Sequence, residues 1–80
     1  MIKLNRQVEA LEAILEKIEA KQEDLQEKIE QIEETAYEAE RELTAGEERK
    51  IEKLEEQIEE LEEEADSVQN AIDYLMDYTD

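Results

Sequence analysis

The sequence predicts an all-α fold in which two long antiparallel helices form a coiled-coil hairpin, with hairpins associating into a dimer or four-helix bundle. Three observations predict it. Apolar residues recur in two stripes at alternating steps of four and three, the stripes are out of phase, and the slip coincides with a helix-capping signal beside the only glycine. Residues 1–80 read as one domain, with a first helix over about 3–42, a turn over about 43–45 and a second helix over about 45–78.

The first helix is carried by Leu4, Val8, Leu11, Leu15, Ile18, Gln22, Leu25, Ile29, Ile32, Ala36, Ala39 and Leu43. Gln22 is the one polar member, and a lone polar residue in such a seam generally sets register or partner orientation at some cost in stability. The small side chains of Ala36 and Ala39 suit a place where two helices converge. Oppositely charged neighbours support this half, with Asp24 four residues ahead of Lys28 and Glu38 three ahead of Arg41.

Leu43 to Ile51 is a step of eight residues where a continuous stripe requires seven. Thr44 followed by Glu47 has capping-box spacing: the hydroxyl accepts from the Glu47 N–H while the carboxylate reaches back to the N-cap N–H. A helix start at Thr44 leaves a connection so short that the helices must be antiparallel neighbours. Folding there brings Ile32 near Leu54, Leu25 near Leu61, Gln22 near Ala65, Leu15 near Ile72 and Leu11 near Leu75. The competing topology is one continuous helix that absorbs the extra residue by local unwinding and pairs in parallel with a second copy.

The second helix is carried by Ile51, Leu54, Ile58, Leu61, Ala65, Val68, Ile72 and Leu75, all apolar. That stripe argues against a disordered acidic tail, although every basic residue of the chain lies at or before Lys53. Like-charge neighbours at i, i+4, such as Glu52/Glu56, Glu55/Glu59 and Glu59/Glu63, each weaken the helix slightly. A chain shaped for stability alone would place lysines among them. Near the open end Ile2, Ile14, Ala71, Tyr74, Met76 and Tyr78 fall outside the stripes, and Tyr and Met are enriched at interfaces.

Composition excludes whole classes of chemistry. Without Cys or His the chain has no thiol nucleophile, no disulfide, no imidazole base and no ordinary zinc site. Its carboxylates lack the Glu-x-x-His pairs of di-metal bundles and the Asp and Gly spacing of calcium loops, so neither metal nor cofactor is expected. No apolar run approaches the roughly 20 residues of a membrane span. The opening residues lack the apolar core of a signal peptide, and the expected location is the cytoplasm. A net charge of -18 repels nucleic acid and anionic membranes, which leaves a basic protein as the natural partner.

The candidate partner-binding residues are Glu55, Glu56, Glu59, Glu60, Glu62, Glu63 and Asp66 for charge, with Tyr74, Met76 and Tyr78 as apolar anchors. Successive helical turns set carboxylates about 5 to 6 Å apart, near the interval of phosphates along a strand, so a rigid rod of this kind suits a cationic groove that holds DNA or RNA. The expected function is non-enzymatic: a protein-binding module that occupies the nucleic-acid site of a basic protein. The alternative is a coiled-coil assembly module, scaffold-like, whose acidic surface provides solubility only.

Two resemblances bear on these expectations. Arg41-Glu42-Leu43-Thr44-Ala45-Gly46-Glu47-Glu48, followed by Ile51-Glu52-Lys53-Leu54, resembles the helix-turn-helix of the N-terminal scaffolding (delta) domain of tailed-phage major capsid proteins. That likeness implies a hairpin with an assembly role. The format of a small acidic helical chain opening Met1-Ile2-Lys3-Leu4-Asn5-Arg6-Gln7 is similar to accessory proteins of phages and mobile elements in Gram-positive bacteria. That second likeness implies an anti-CRISPR or other anti-defence inhibitor that acts as a DNA mimic in the host cytoplasm.

Overall fold

A computed structural model of the chain describes residues 2–78, with side chains described from Asn5 to Tyr78. Two helices, α1 (Ile2–Glu38) and α2 (Ala45–Met76), fold back on each other, and no strand occurs among the described residues. The hairpin is therefore formed within one chain, and the continuous-helix alternative is not adopted. The result is a rod of 58 × 16 × 13 Å.

The two stripes account for the packing almost residue by residue. From Val8 onward every stripe position except Ala39 is buried or half-buried, and among the described residues only Glu47 and Ala71 are shielded without belonging to a stripe. Ile18, Ile29, Ala36 and Ile72 are the buried members, and the other shielded positions are half-buried. The side chains of Leu4 and Ile2, both assigned apolar roles from the sequence, lie outside the described residues. The register follows the expected folding point: Ile32 and Leu54 line one stretch of an inter-helix groove, and Leu25 and Leu61 line the next. Gln22 is half-buried in the seam and has no hydrogen-bond partner among the described residues, which leaves its amide to solvent.

The first helix ends earlier than its stripe suggests, at Glu38 rather than near residue 42. Its end is a Schellman motif. The Glu40 N–H donates to the Tyr37 carbonyl at 3.0 Å and the Arg41 N–H reaches the Ala36 carbonyl at 3.1 Å, which satisfies two orphan carbonyls of the last turn. This geometry requires a left-handed residue at the reversal, and Glu40 supplies it with φ of 53°. Ala39 is consequently swung out of the seam and exposed, and the turn spans 39–44 instead of 43–45.

The second helix starts as its capping signal indicates. The Glu47 N–H donates to Thr44 Oγ1 at 3.1 Å, and the Thr44 N–H donates to Glu47 Oε1 at 2.9 Å. Gly46 sits inside this first turn with no left-handed backbone, so the single glycine is not the hinge. At the far end α2 stops at Met76, two residues short of the expected position near 78, with the Asp77 N–H bonded to the Asp73 carbonyl at 3.3 Å.

Candidate protein-binding faces

The seam divides the surface of the rod into two flanks. Val8, Leu15, Gln22 and Ile29 are a positions of a heptad and Leu11, Ile18, Leu25 and Ile32 are d positions; in α2 Ile51, Ile58, Ala65 and Ile72 are a and Leu54, Leu61, Val68 and Leu75 are d. When the helices run antiparallel, the g positions of both lie on one side of the seam and the e positions on the other. The grooves agree with this projection. Lys21, Lys28, Gln57 and Glu64 line one side together, Thr35 and Lys50 continue it, and Glu33 and Glu48 meet on the opposite side near the turn.

Charge is sorted between the flanks. The b and e positions from Glu9 to Asp73 carry carboxylates throughout most of the rod, including Glu12, Glu16, Glu19 and Glu23 on α1 and Glu52, Glu55, Glu59 and Glu62 on α2. No Lys or Arg occupies any of them. Lys17, Lys21, Lys28, Lys50 and Lys53 all fall at g or c, where the only acids are Asp24, Glu38, Glu60 and Glu64. One flank is thus acidic along both helices, with Arg41 of the turn lining its end beside Glu33 and Glu48, and the other is close to neutral. On the acidic flank each helix contributes up to two carboxylates per seven residues at 1.5 Å rise, or roughly one charge per 3 Å of rod, between the roughly 1.7 Å of duplex DNA and the roughly 3.4 Å of one strand.

This sorting separates the residues that the sequence grouped together. Glu55, Glu59, Glu62, Asp66 and Met76 belong to the acidic flank, and Glu56 and Glu63 point outward at f, away from both flanks. Glu60 lies on the lysine-bearing side, lining the groove with Lys21 and Lys28, and Tyr74 and Tyr78 fall on that side too. The ten residues do not form one patch. The i, i+4 ladders on α2 are real neighbours, but a ladder follows the helix and says nothing of which side of the seam it occupies. The acidic contribution of α1 is invisible to such ladders for the same reason; its signal in the sequence is the phase of the lysines relative to the stripe.

The lysines are sparsely paired. Lys28 meets Asp24 at 3.6 Å, and Lys17, Lys21, Lys50 and Lys53 have no carboxylate within 4.0 Å among the described residues. The expected partner of Arg41, Glu38, is replaced by Glu47: two parallel bonds of 2.7 and 3.0 Å clasp the turn, possible because α1 has already ended and the Arg41 side chain leans toward α2. The Arg41 hydrogen bond, followed by the bond from the Thr44 N–H, holds the Glu47 carboxyl down at about 2, and the same pairing raises the Arg41 guanidinium.

At the open end Tyr74 and Tyr78 are 64% and 62% exposed, with ring centroids 5.2 Å apart. The Tyr78 hydroxyl donates to that of Tyr74 at 3.4 Å, a bond that, with partial desolvation, pushes the Tyr78 phenol up. Ile14 is 46% exposed and sits at g on the same side. Tyr37, 84% exposed, occupies a b position on the acidic side near the turn. Among the described residues no group of His, Cys, Asp or Glu is placed to hold a metal ion, and no helix is long and apolar enough to cross a membrane. Neither a family model, nor a curated protein, nor a solved structure matches the chain.

Proposed function

We propose that the chain is a non-enzymatic protein-binding module whose acidic flank seats on a basic, nucleic-acid-binding surface of a partner protein, and that hairpins associate into a dimer or four-helix bundle. The observation that carries this reading is the sorting of charge. Solubility needs negative charge somewhere on the surface, but it does not need every lysine from Lys17 to Lys53 withdrawn to one side. A flank that must enter a cationic groove does need that, because one misplaced lysine would meet like charge on a partly desolvated surface. Rigidity supports the same reading, since a pre-formed rod orders no flexible chain on binding.

On this reading the partner is a nucleic-acid enzyme or other basic protein of a host cell, and the chain acts in the cytoplasm as an inhibitor of the anti-defence kind carried by phages and mobile elements. The assembly reading is favoured by a different observation, the exposed Ile14, Tyr74 and Tyr78 on the near-neutral side. The two readings use different flanks. One rod can therefore serve both.

The test compares two variants with the same change in charge. E52Q/E55Q/E59Q/E62Q strips the acidic flank, and E27Q/E34Q/E56Q/E63Q strips the outward-facing f positions that belong to neither flank. Each is immobilised and exposed to cell extract, and retained proteins are eluted with duplex DNA in low salt. Basic proteins released by DNA are expected on the wild-type chain and on the second variant, and are expected to be lost from the first. Equal retention on both variants would show that the flank carries no specificity.

A further inference from the structure

The near-neutral flank is the unexplained surface of this rod. It holds all the described lysines of a chain with net charge -18, and most of them lack a carboxylate partner among the described residues. It also carries the exposed apolar side chains Ile14, Tyr74 and Tyr78, and Leu25, Ile32, Leu54 and Leu61 open into its groove. We infer that this flank is the homodimer interface, and that two hairpins pack through it side by side with their open ends at the same end of the bundle. This inference deepens the self-association proposed above and rests on it.

Charge complementarity decides the occupant and its direction. In the hairpin register Ile32 lies level with Leu54 and Leu25 with Leu61, which puts Lys21 level with Glu64 and places Lys28 between the levels of Gln57 and Glu60. A two-fold axis parallel to the rod sets α1 of one copy against α2 of the second at unchanged level. Lys21 then faces Glu64 of the second copy, Lys28 faces Glu60, and Ile14 faces Ala71. Because such an interface is isologous, each contact occurs twice. The opposite-end arrangement, with the axis across the rod, sets α1 against α1; at full overlap Lys21, near the middle of the rod, then meets Lys21 of the second copy, Lys28 comes nearest Lys17, and the apolar open end meets Lys50 and Lys53. Like charges across a closed interface are strongly disfavoured, so the same-end arrangement wins.

Size is consistent with a stable dimer. A flank about 58 Å long and 13 to 16 Å wide presents roughly 800 Å² per copy, the per-partner area of standard stable interfaces. Half-buried seam residues such as Leu25, Ile32, Leu54 and Leu61 would become core residues of an antiparallel four-helix bundle. The acidic flanks would face outward on opposite sides, leaving both free for a basic partner.

Sedimentation velocity on the full chain tests this with a charge exchange. K21E/K28E and E60K/E64K should each weaken the dimer by about tenfold or more, because like charges replace opposite ones across both edges. An equimolar mixture of the two should form a heterodimer, since each edge is again complementary, and the combined K21E/K28E/E60K/E64K chain should recover the homodimer. Circular dichroism on each variant checks that the hairpin itself is retained. Direction is read from I14C and A71C, introduced singly and mixed under oxidising conditions: a mixed disulfide dimer is expected. A wild-type chain that sediments at the monomer mass of 9.4 kDa at all concentrations would overturn self-association itself. A dimer indifferent to the charge exchange would overturn the choice of flank only, and a charge-responsive dimer without the mixed disulfide would overturn the same-end direction.

Discussion

Replacing Glu40 with glycine should stabilise the protein, although Glu40 makes no contact whose loss could be called beneficial. The reasoning rests on its backbone. Glu40 occupies the left-handed region at φ of 53°, where the Cβ of an L-residue crowds the neighbouring carbonyl at a cost of about 1 to 2 kcal/mol. Glycine removes that crowding but begins from a more disordered unfolded chain, which returns about 0.5 to 1 kcal/mol. The net expectation is a gain of about 0.5 to 1 kcal/mol. For a domain of this size, such a gain raises the melting temperature by roughly 2 to 8 °C. The two Schellman bonds, from Glu40 and Arg41 to the Tyr37 and Ala36 carbonyls, remain available because both donors are backbone N–H groups. Thermal melts by circular dichroism at one fixed chain concentration provide the assay, since self-association makes the midpoint concentration-dependent. Glu40→Ala is the necessary control: it removes the same negative charge while keeping Cβ. If the glycine variant melts no higher than the alanine variant, any gain is electrostatic and the strain argument is wrong.

Three further outcomes follow from the same geometry. Gly46→Ala should stabilise by about 0.5 to 1 kcal/mol, because position 46 is helical and an added Cβ would meet only Thr44 Oγ1 at an ordinary 3.9 Å; the same melts measure it. Gln22→Leu should stabilise by about 1 to 2 kcal/mol by replacing an amide that has no partner among the described residues with apolar surface, while hydrogen-exchange or NMR line widths should show a less uniquely registered hairpin. The Arg41–Glu47 clasp should be pH-dependent with a defined sign: the Glu47 carboxyl titrates lower folded than its unfolded value of 4.5, so its stabilisation is fully present above that value and is lost as pH falls through about 2. Between pH 5 and pH 2 the melting temperature of E47Q should therefore fall less than that of the wild-type chain, and parallel curves would show that the clasp contributes nothing.

The elements that the sequence disclosed are those set by period and by local chemistry. A stripe of alternating four and three steps specifies a helix and its buried side at once, so Val8 to Ala36 and Ile51 to Leu75 could be placed without any tertiary information. Thr44 and Glu47 could be read as a cap because both partners lie within four residues of each other. The end of α1 could not be read in this way. Ala39 and Leu43 continue the stripe arithmetically, and the reversal at Glu40 has no glycine to announce it, because the backbone strain is carried by a residue type that ordinarily avoids it. The Arg41–Glu47 clasp depended on that reversal and was hidden with it.

The candidate faces illustrate a different limit. Every residue needed to see that charge is sorted was present in the sequence, yet a ladder of Glu at i, i+4 invites attention to one helix, where Glu60 and Glu59 look equivalent. They are not equivalent once the seam is fixed, because an antiparallel partner turns g and e into opposite sides of one object. Glu60 then shares a groove with Lys21 and Lys28, whereas Glu59 shares a flank on which neither helix presents a cation among the described residues. A rod with one near-neutral flank and one acidic flank has a built-in division of labour: closing the first against a second copy hides the lysines, and what remains outside is a two-sided body of almost uniform negative charge. Self-association would in that way sharpen the acidic surface without adding a single carboxylate to it, and mutations on the lysine flank that leave the acidic flank untouched should still weaken binding to a basic partner.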